Sequence, residues 1–136
     1  MAVNNVLKDK LGNILNPKIP RYENLKNYSE EEQLVGFYLN RPYYKKVVEF
    51  GAFPSNGQRT VNHNISDLDD IICYFYSWYD TTDAKWFSGV RIDSPSIMCK
   101  LSVDLTNLVI EGLGEVAWAD RTTKGKCTIY YHKTTD

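Results

Sequence analysis

The chain has little of what a catalytic or metal-binding site usually needs. Its 136 residues include only two histidines, His63 and His132, and three cysteines. Neither histidine comes with a visible third metal ligand or an activated nucleophile. Cys73, Cys99 and Cys127 are far apart and form no CxxC pair. We therefore expect no metal, no cofactor and no catalytic residue, and we expect the cysteines to be small buried hydrophobes.

An excess of one charge and long apolar runs are also missing. The 16 basic and 17 acidic residues give a formal net charge of −1. A general nucleic-acid binder needs a clear excess of Lys and Arg, and a membrane-surface patch needs basic clusters. No run reaches the roughly 18 apolar residues of a membrane span, and the first ten residues lack the apolar part of a signal peptide. We expect no nucleic-acid binding, no membrane insertion and synthesis in a cytoplasm.

What the chain does have is apolar and aromatic residues in short runs. Hydrophobic residues make up 43% and aromatic residues 13%, with ten tyrosines, which suits β-strands and a real core. Two runs, Leu34–Leu39 and Tyr43–Phe50, flank Asn40-Arg41-Pro42 and predict a β-hairpin. Further strands are predicted at Arg59–Ile65, Ile71–Tyr79, Trp86–Ile92, Ile97–Leu105, Val109–Glu111, Val116–Trp118 and Cys127–His132, with a polar turn at Arg121–Gly125. The predicted fold is an all-β, antiparallel β-sandwich or barrel-like domain.

The central predicted strand, Ile71–Tyr79, carries large side chains in both phases of its alternation. Cys73, Phe75, Ser77 and Tyr79 fall on one face; Ile72, Tyr74, Tyr76 and Trp78 fall on the other. A single small sandwich cannot cover both faces. We expect one face to pack in the core and the other to pack against a neighbouring chain, in a homotrimer.

The N-terminal part differs from the rest. Residues 1–27 contain Pro17 and Pro20 with no helical period, and they predict an extended arm that precedes a β-domain over residues 28–136. The sequence from Ser29 to Glu32 resembles a capping box and predicts at most one helical turn.

Three stretches of the chain carry a recognisable pattern: the hairpin region, the "TVNHNISDLDDII" stretch within residues 56–72 and the terminal "YYHKTTD". In the hairpin region the residues of the pattern are Tyr28, Ser29, Glu32, Gln33, Val35, Gly36, Arg41, Pro42, Tyr44, Lys46 and Val47. Together these stretches resemble a module of phage tail-fibre and related virion fibre proteins. Residues 76–112 depart from the module.

The resemblance implies a homotrimeric virion fibre protein, made in the bacterial host cytoplasm, that adheres to a host-surface glycan or protein without catalysis. The arm would then contact other virion proteins. One alternative is a head fibre or capsid decoration protein with a structural attachment role. Another is a stand-alone carbohydrate-binding protein.

The candidate ligand-binding residues are aromatic and acidic residues in the divergent stretch. Exposed rings beside Asp or Asn can stack on sugar rings. Trp78 is a further candidate of the same kind, and Trp118 is a weaker one. We expect four residues on or next to the loops of residues 80–96 to bind the ligand: Tyr79, Asp83, Trp86 and Phe87.

Other suggestive residues have simpler interpretations. Asp67, Asp69 and Asp70 lack the rest of a calcium loop and predict a solvated turn. Gly112-Leu113-Gly114 predicts a β-turn. We expect His63 to be a hydrogen-bonded strand residue. The alternative is that three copies of His63 bind an anion or a metal ion on the axis of a trimer.

Overall fold

The computed structural model describes residues 32–136. The predicted arm at residues 1–27 and most of the capping-box motif lie outside this range. Within it the chain forms nine strands and one short helix. The elements are β1 (Gln33–Tyr38), β2 (Arg41–Gly51), β3 (Gly57–Asn62), β4 (Leu68–Asp80), β5 (Lys85–Ser88), β6 (Arg91–Ser94), β7 (Ile97–Val103), β8 (Asn107–Leu113), α1 (Trp118–Arg121) and β9 (Thr122–Lys133).

The strands form two antiparallel sheets. Sheet one has the order β1-β2-β9-β4-β5, and sheet two has the order β3-β8-β7-β6. The two longest pairings of sheet one, β2 with β9 and β4 with β9, join strands distant in sequence. The sheets curl towards a half-barrel, which confirms the predicted all-β, antiparallel fold class.

The core lies between the two sheets and follows from strict alternation. In β8 every second residue is buried, and Leu108 and Ile110 point inward. Trp78, Ile129 and Tyr131 face them from sheet one. Burying each such side chain stabilises the fold by about 1.5–3 kcal/mol relative to leaving it exposed.

The β1–β2 hairpin is confirmed, with a tighter turn than the sequence suggested. Leu39 and Asn40 alone form the turn, and both have positive φ, 54° and 61°. Two such residues give the type I′ geometry that matches strand twist. Pro42 therefore lies inside β2, opposite Phe37, and does not belong to the turn.

The single strand predicted over Trp86–Ile92 is wrong, because this stretch forms two separate strands. The chain breaks at Gly89, which has φ 79°, and its N–H donates to the carbonyl oxygen of Tyr76 at 2.9 Å. Residues before the break form β5 in sheet one, and residues after it form β6 in sheet two. The break is a crossover between the two sheets.

Three other local predictions are wrong. The predicted polar turn at Arg121–Gly125 is the end of α1 and the start of β9, and Val116–Trp118 contributes no strand. Gly112 lies inside β8 and not in a β-turn. A Cβ there would overlap the carbonyl oxygen of Pro54, so close backbone approach is the reason for this glycine.

Candidate functional site

Trp86 and Phe87 are neighbours in β5, so their side chains point to opposite faces of sheet one. Trp86 is paired with Tyr79 of β4, and Phe87 is paired with Trp78. The tyrosine and Trp86 lie on the outer face, whereas Trp78 is fully buried. The four predicted ligand-binding residues therefore do not form one site.

The outer pair is an exposed aromatic platform. Trp86 is 55% exposed, and its ring centroid lies 5.5 Å from that of Tyr79 in an edge-to-face arrangement. The ammonium group of Lys124 lies 5.3 Å from the centroid of the Tyr79 ring, within the range of a cation–π contact. The platform is thus held in place by its neighbours on β4 and β9.

Beside this platform lies a groove, which we call the Trp86 groove. Its volume is about 480 Å³, and its lining residues are Glu49, Gly51, Trp86, Lys124, Gly125 and Lys126. The two glycines pair across β2 and β9, where the register shifts, and they contribute only backbone to the lining. Lys126 Nζ lies 3.6 Å from Glu49 Oε1 at the rim, and both side chains are more than half exposed.

Phe87 belongs to the core and not to a binding surface, contrary to prediction. Its ring stacks on that of Trp78, with centroids 4.9 Å apart. Arg91 of β6 places its guanidinium carbon 4.6 Å from the centroid of the Phe87 ring. Trp118 is also fully buried, and its indole N–H donates to the carbonyl oxygen of Leu113 at 3.1 Å. These rings stabilise the fold.

Asp83 is likewise engaged within the protein. Its Oδ2 accepts hydrogen bonds from Arg91 Nη1 and Arg121 Nη2, both at 3.1 Å. The same two arginines donate to Oδ2 of Asp80, at 2.7 Å from Arg91 Nη1 and 2.8 Å from Arg121 Nε. We call Asp80, Asp83, Arg91 and Arg121 the ion cluster. It ties the β4–β5 turn to β6 and α1.

Asp80 is the buried centre of the ion cluster. Its side chain is 0% exposed, and Oδ1 accepts the backbone N–H groups of Thr82 and Asp83 at 2.9 and 3.1 Å. Burial by itself would raise the pKa of Asp80. The hydrogen bonds from Asp83 N–H, Arg121 and Thr82 N–H outweigh it, so the pKa lies below the ordinary 3.8.

The stretch Asp80-Thr81-Thr82-Asp83 predicts a solvated turn, and the turn is right, but sequence reasoning missed the burial of Asp80, the two arginines and the groove lysines. One signal was available, because a turn of this sequence between two strands is typically closed by the first carboxylate. Alternation along β5 also separates Trp86 from Phe87 once the strand is recognised. The arginine partners had no local signal, because they come from distant parts of the chain.

Both histidines are buried, and both ring nitrogens of each lie within hydrogen-bonding distance of protein groups. His63 is buried just after β3; its Nδ1 accepts the N–H of Ile65 at 3.2 Å, and its Nε2 lies 3.1 Å from the carbonyl oxygen of Asp104. Both nitrogens are engaged, so the imidazole is not available on a trimer axis. His132 lies between Asp70 Oδ1 at 2.7 Å and the carbonyl oxygen of Tyr38 at 3.0 Å.

The cysteine and acidic-turn predictions are right in part. Cys99 and Cys127 are buried, but Cys73 is exposed. Asp67 has φ 57° and lies in a turn, whereas Asp69 and Asp70 begin β4. Of these, Asp69 Oδ2 pairs with Arg41 at 2.8 Å.

Comparison of the chain with models of known protein families, with curated proteins and with solved structures finds no match. Among residues 32–136, no group of three or more His, Cys, Asp or Glu side chains is placed to hold a metal ion. In the same part of the chain, no helix is long and apolar enough to cross a membrane.

Proposed function

We propose that the chain is a virion fibre protein that attaches to a bacterial surface glycan through the Trp86 groove, without catalysis. The observation that carries the proposal is the half-exposed indole of Trp86, held edge-to-face against Tyr79 beside an open groove. A buried role does not account for a tryptophan in this position. The virion context rests on the sequence resemblance to fibre modules.

The groove suits a sugar because it combines a ring with fixed polar groups. The apolar CH face of a pyranose can stack on Trp86, and the side chains of Lys124 and Glu49 supply a donor and an acceptor at the rim. The groove is partly open to solvent, which allows an extended polysaccharide to lie along it.

The charges of the groove favour an anionic glycan. Two of its six lining residues, Lys124 and Lys126, are cationic and one, Glu49, is anionic. Sugars that carry carboxylate or phosphate groups can therefore pair with an ammonium group while a ring stacks on Trp86. Because the rim is open to solvent, this attraction weakens as salt rises.

We further propose a homotrimer whose residues 1–27 contact other virion proteins. Attachment by a trimer presents three copies of a weak site on one particle, and this multiplies the total affinity. A head fibre or capsid decoration protein would share the fold and the arm but would not need the Trp86 groove.

The test is binding of the full chain to acidic and neutral bacterial polysaccharides, with Trp86→Ala and a control. Leu105→Ala removes a similarly exposed apolar side chain from the β7–β8 turn, outside the groove. We expect Trp86→Ala to weaken binding to the acidic polysaccharide about tenfold, which corresponds to about 1.4 kcal/mol. We expect Leu105→Ala to bind like the wild type.

Two outcomes would contradict the proposal. Equal binding by the wild type and Trp86→Ala removes the groove from recognition. The second outcome is a wild-type protein that is found in purified virus particles but binds no host cells, and it would favour the head-fibre alternative.

A further inference from the structure

A second exposed surface lies on the outer side of sheet one, in the half of the sheet that includes β1. It consists of six apolar or aromatic side chains, which we call the aromatic face: Val35, Tyr38, Tyr43, Ile72, Phe75 and Tyr130. Phe75 is 54% exposed, Tyr38 47% and Val35 43%. No strand of the described chain packs over them, because sheet two covers the opposite side of sheet one.

Alternation and one bulge explain why these side chains point outward. In β4, Tyr76 and Trp78 point into the core, so Phe75 points out. The register between β4 and β9 shifts between Ile71 and Cys73. This bulge places Ile72 on the outer side, beside Cys73, although simple alternation assigned it to the inner face.

The rings of the aromatic face touch one another and form a continuous surface. The centroid of Tyr130 lies 6.2 Å from those of both Tyr43 and Phe75, and Tyr38 lies 6.5 Å from Tyr43. A shallow depression of about 360 Å³ lies among them. Of the described residues that line this depression, none is charged.

We propose that the aromatic face is the surface through which copies of this chain meet. The inference rests on the proposed homotrimer and names its interface. Around a threefold axis, the uncharged lining of the depression can approach the same lining of the other copies without like-charge repulsion. Lys45, opposite Tyr130 in β2, is a charged residue at the border of this lining, and the part of the outer side around the Trp86 groove carries Glu49, Lys124 and Lys126. Tyrosine enrichment with charge depletion is the composition of an interface core.

The aromatic face supplies more than half of the area that a stable interface buries on one partner. Six partly exposed side chains of this kind offer on the order of 500 Å² of mainly apolar surface. A stable interface buries about 800 Å² on each partner, and its polar rim supplies the remainder. A contiguous apolar patch of this size is at the upper end of the range that monomers expose, and such patches often have a function.

Cys73 gives an internal probe of this surface. It is the one exposed cysteine of the three, and it lines the depression between Ile72 and Tyr130. Cys99 and Cys127 are buried, and burial raises the pKa of each thiol to about 12, which keeps them unreactive. Reaction of the folded protein with a thiol reagent therefore reports on Cys73.

The experiment follows thiol reaction and molar mass of the full chain over a dilution series. We expect a trimer at high concentration in which Cys73 reacts at least tenfold more slowly than it does after dilution to monomer. A monomer with a reactive Cys73 at every concentration overturns both the trimer and its interface. A trimer with an equally reactive Cys73 overturns the interface alone.

A matched pair of variants sharpens the result. Phe75→Glu places a charge on the aromatic face, whereas Ile92→Glu places one on β6, where the side chain is 60% exposed in sheet two. We expect Phe75→Glu to be monomeric with a reactive Cys73, and Ile92→Glu to assemble like the wild type. Circular dichroism checks that each variant is folded; if Phe75→Glu is not, the wild-type dilution series decides.

One alternative occupant has its own outcome. The 31 residues that precede Glu32 could cover the face within one chain. A wild-type protein of monomeric mass with a protected Cys73 would show this and would contradict the proposal. Binding through the Trp86 groove is measured separately, so its failure cannot be confused with failure of the interface.

Discussion

The two faces of the β4–β5 ribbon use similar residues for different purposes. On the inner face, Trp78 and Phe87 stack in the core, and Asp80 accepts hydrogen bonds from two arginines. On the outer face, Tyr79 and Trp86 form a platform that opens to solvent. The difference teaches that residue type alone does not separate a core ring from a recognition ring. Strand parity, which is the alternation of successive side chains between the two faces of a sheet, does separate them.

The largest expected effect lies at the centre of the inner face. Asp80→Ala removes the buried one of the two carboxylates that Arg91 and Arg121 share, leaves Asp83 as the other, and removes the cap of the β4–β5 turn. Loss of one member of a buried ion pair costs about 3–5 kcal/mol, so we expect the free energy of unfolding to fall by that amount. Urea denaturation measures it.

The control for this change is Asp120→Ala, which removes an exposed carboxylate from α1. We expect it to change stability by less than about 0.5 kcal/mol. A similarly small effect of Asp80→Ala would mean that the ion cluster contributes little to stability.

The second prediction compares the adjacent rings of β5. Phe87→Ala removes a ring stacked between Trp78 and the Arg91 guanidinium, and we expect it to cost about 3 kcal/mol and to lower Tm by roughly 10 °C. Trp86→Ala leaves no cavity in the core, so we expect its Tm to stay close to that of the wild type. Calorimetry of both variants decides whether parity separates the two roles.

The third prediction concerns pH and the inner face. The pKa of Asp80 is lower in the folded protein than the ordinary 3.8. Its stabilising effect is therefore complete above about pH 4 and is lost as pH falls through the lower, folded-state pKa. The pKa of Asp104 is also lowered, by hydrogen bonds from the N–H groups of Thr106 and Asn107.

We expect Asp80→Asn to reduce the loss of stability between pH 4 and acid without removing it, because Asp104 still contributes. Urea midpoints measured as a function of pH test this. An acid profile of Asp80→Asn that superimposes on the wild type would show that Asp80 is not the group responsible.

The smallest expected effect lies at the rim of the outer face. Lys124→Gln removes one exposed cation from the Trp86 groove, and we expect binding of an acidic polysaccharide to weaken about two- to threefold at low salt, since one exposed charge contributes only about 0.5 kcal/mol. The difference should disappear at high salt. Titrations at two salt concentrations measure it, and a loss that persists at high salt would indicate a contact other than charge.

Sequence reasoning recovered the elements whose information is local. The apolar runs on both sides of Asn40 predicted the hairpin, and alternation along Ile71–Tyr79 separated most of the inner face from the outer one. The break at Gly89 was missed because large apolar residues on both sides of it favoured one continuous strand, although Ser88-Gly89 is a dipeptide that commonly marks a turn. The pairing of β5 and β6 with different sheets shows that the turn is real.

The structure divides the four predicted ligand-binding residues between two environments, and ligand binding by any of them stays a prediction. Trp86 and Tyr79 are on the outer face as a recognition site requires, whereas Phe87 and Asp83 are held by contacts inside the protein. Those contacts come from Arg91 and Arg121, whose positions depend on long-range pairing of strands. Local sequence carries no record of such pairing, so the ion cluster could not be predicted.

The most direct test of the account measures binding and melting on the same samples of wild type, Trp86→Ala and Phe87→Ala, with a panel of bacterial cells as the target. We predict that Trp86→Ala binds about tenfold more weakly at an unchanged Tm. We predict that Phe87→Ala melts earlier but binds normally at temperatures where it is folded. If Trp86→Ala instead melts early, or binds as tightly as the wild type, the separation of the two faces into core and recognition surface is contradicted.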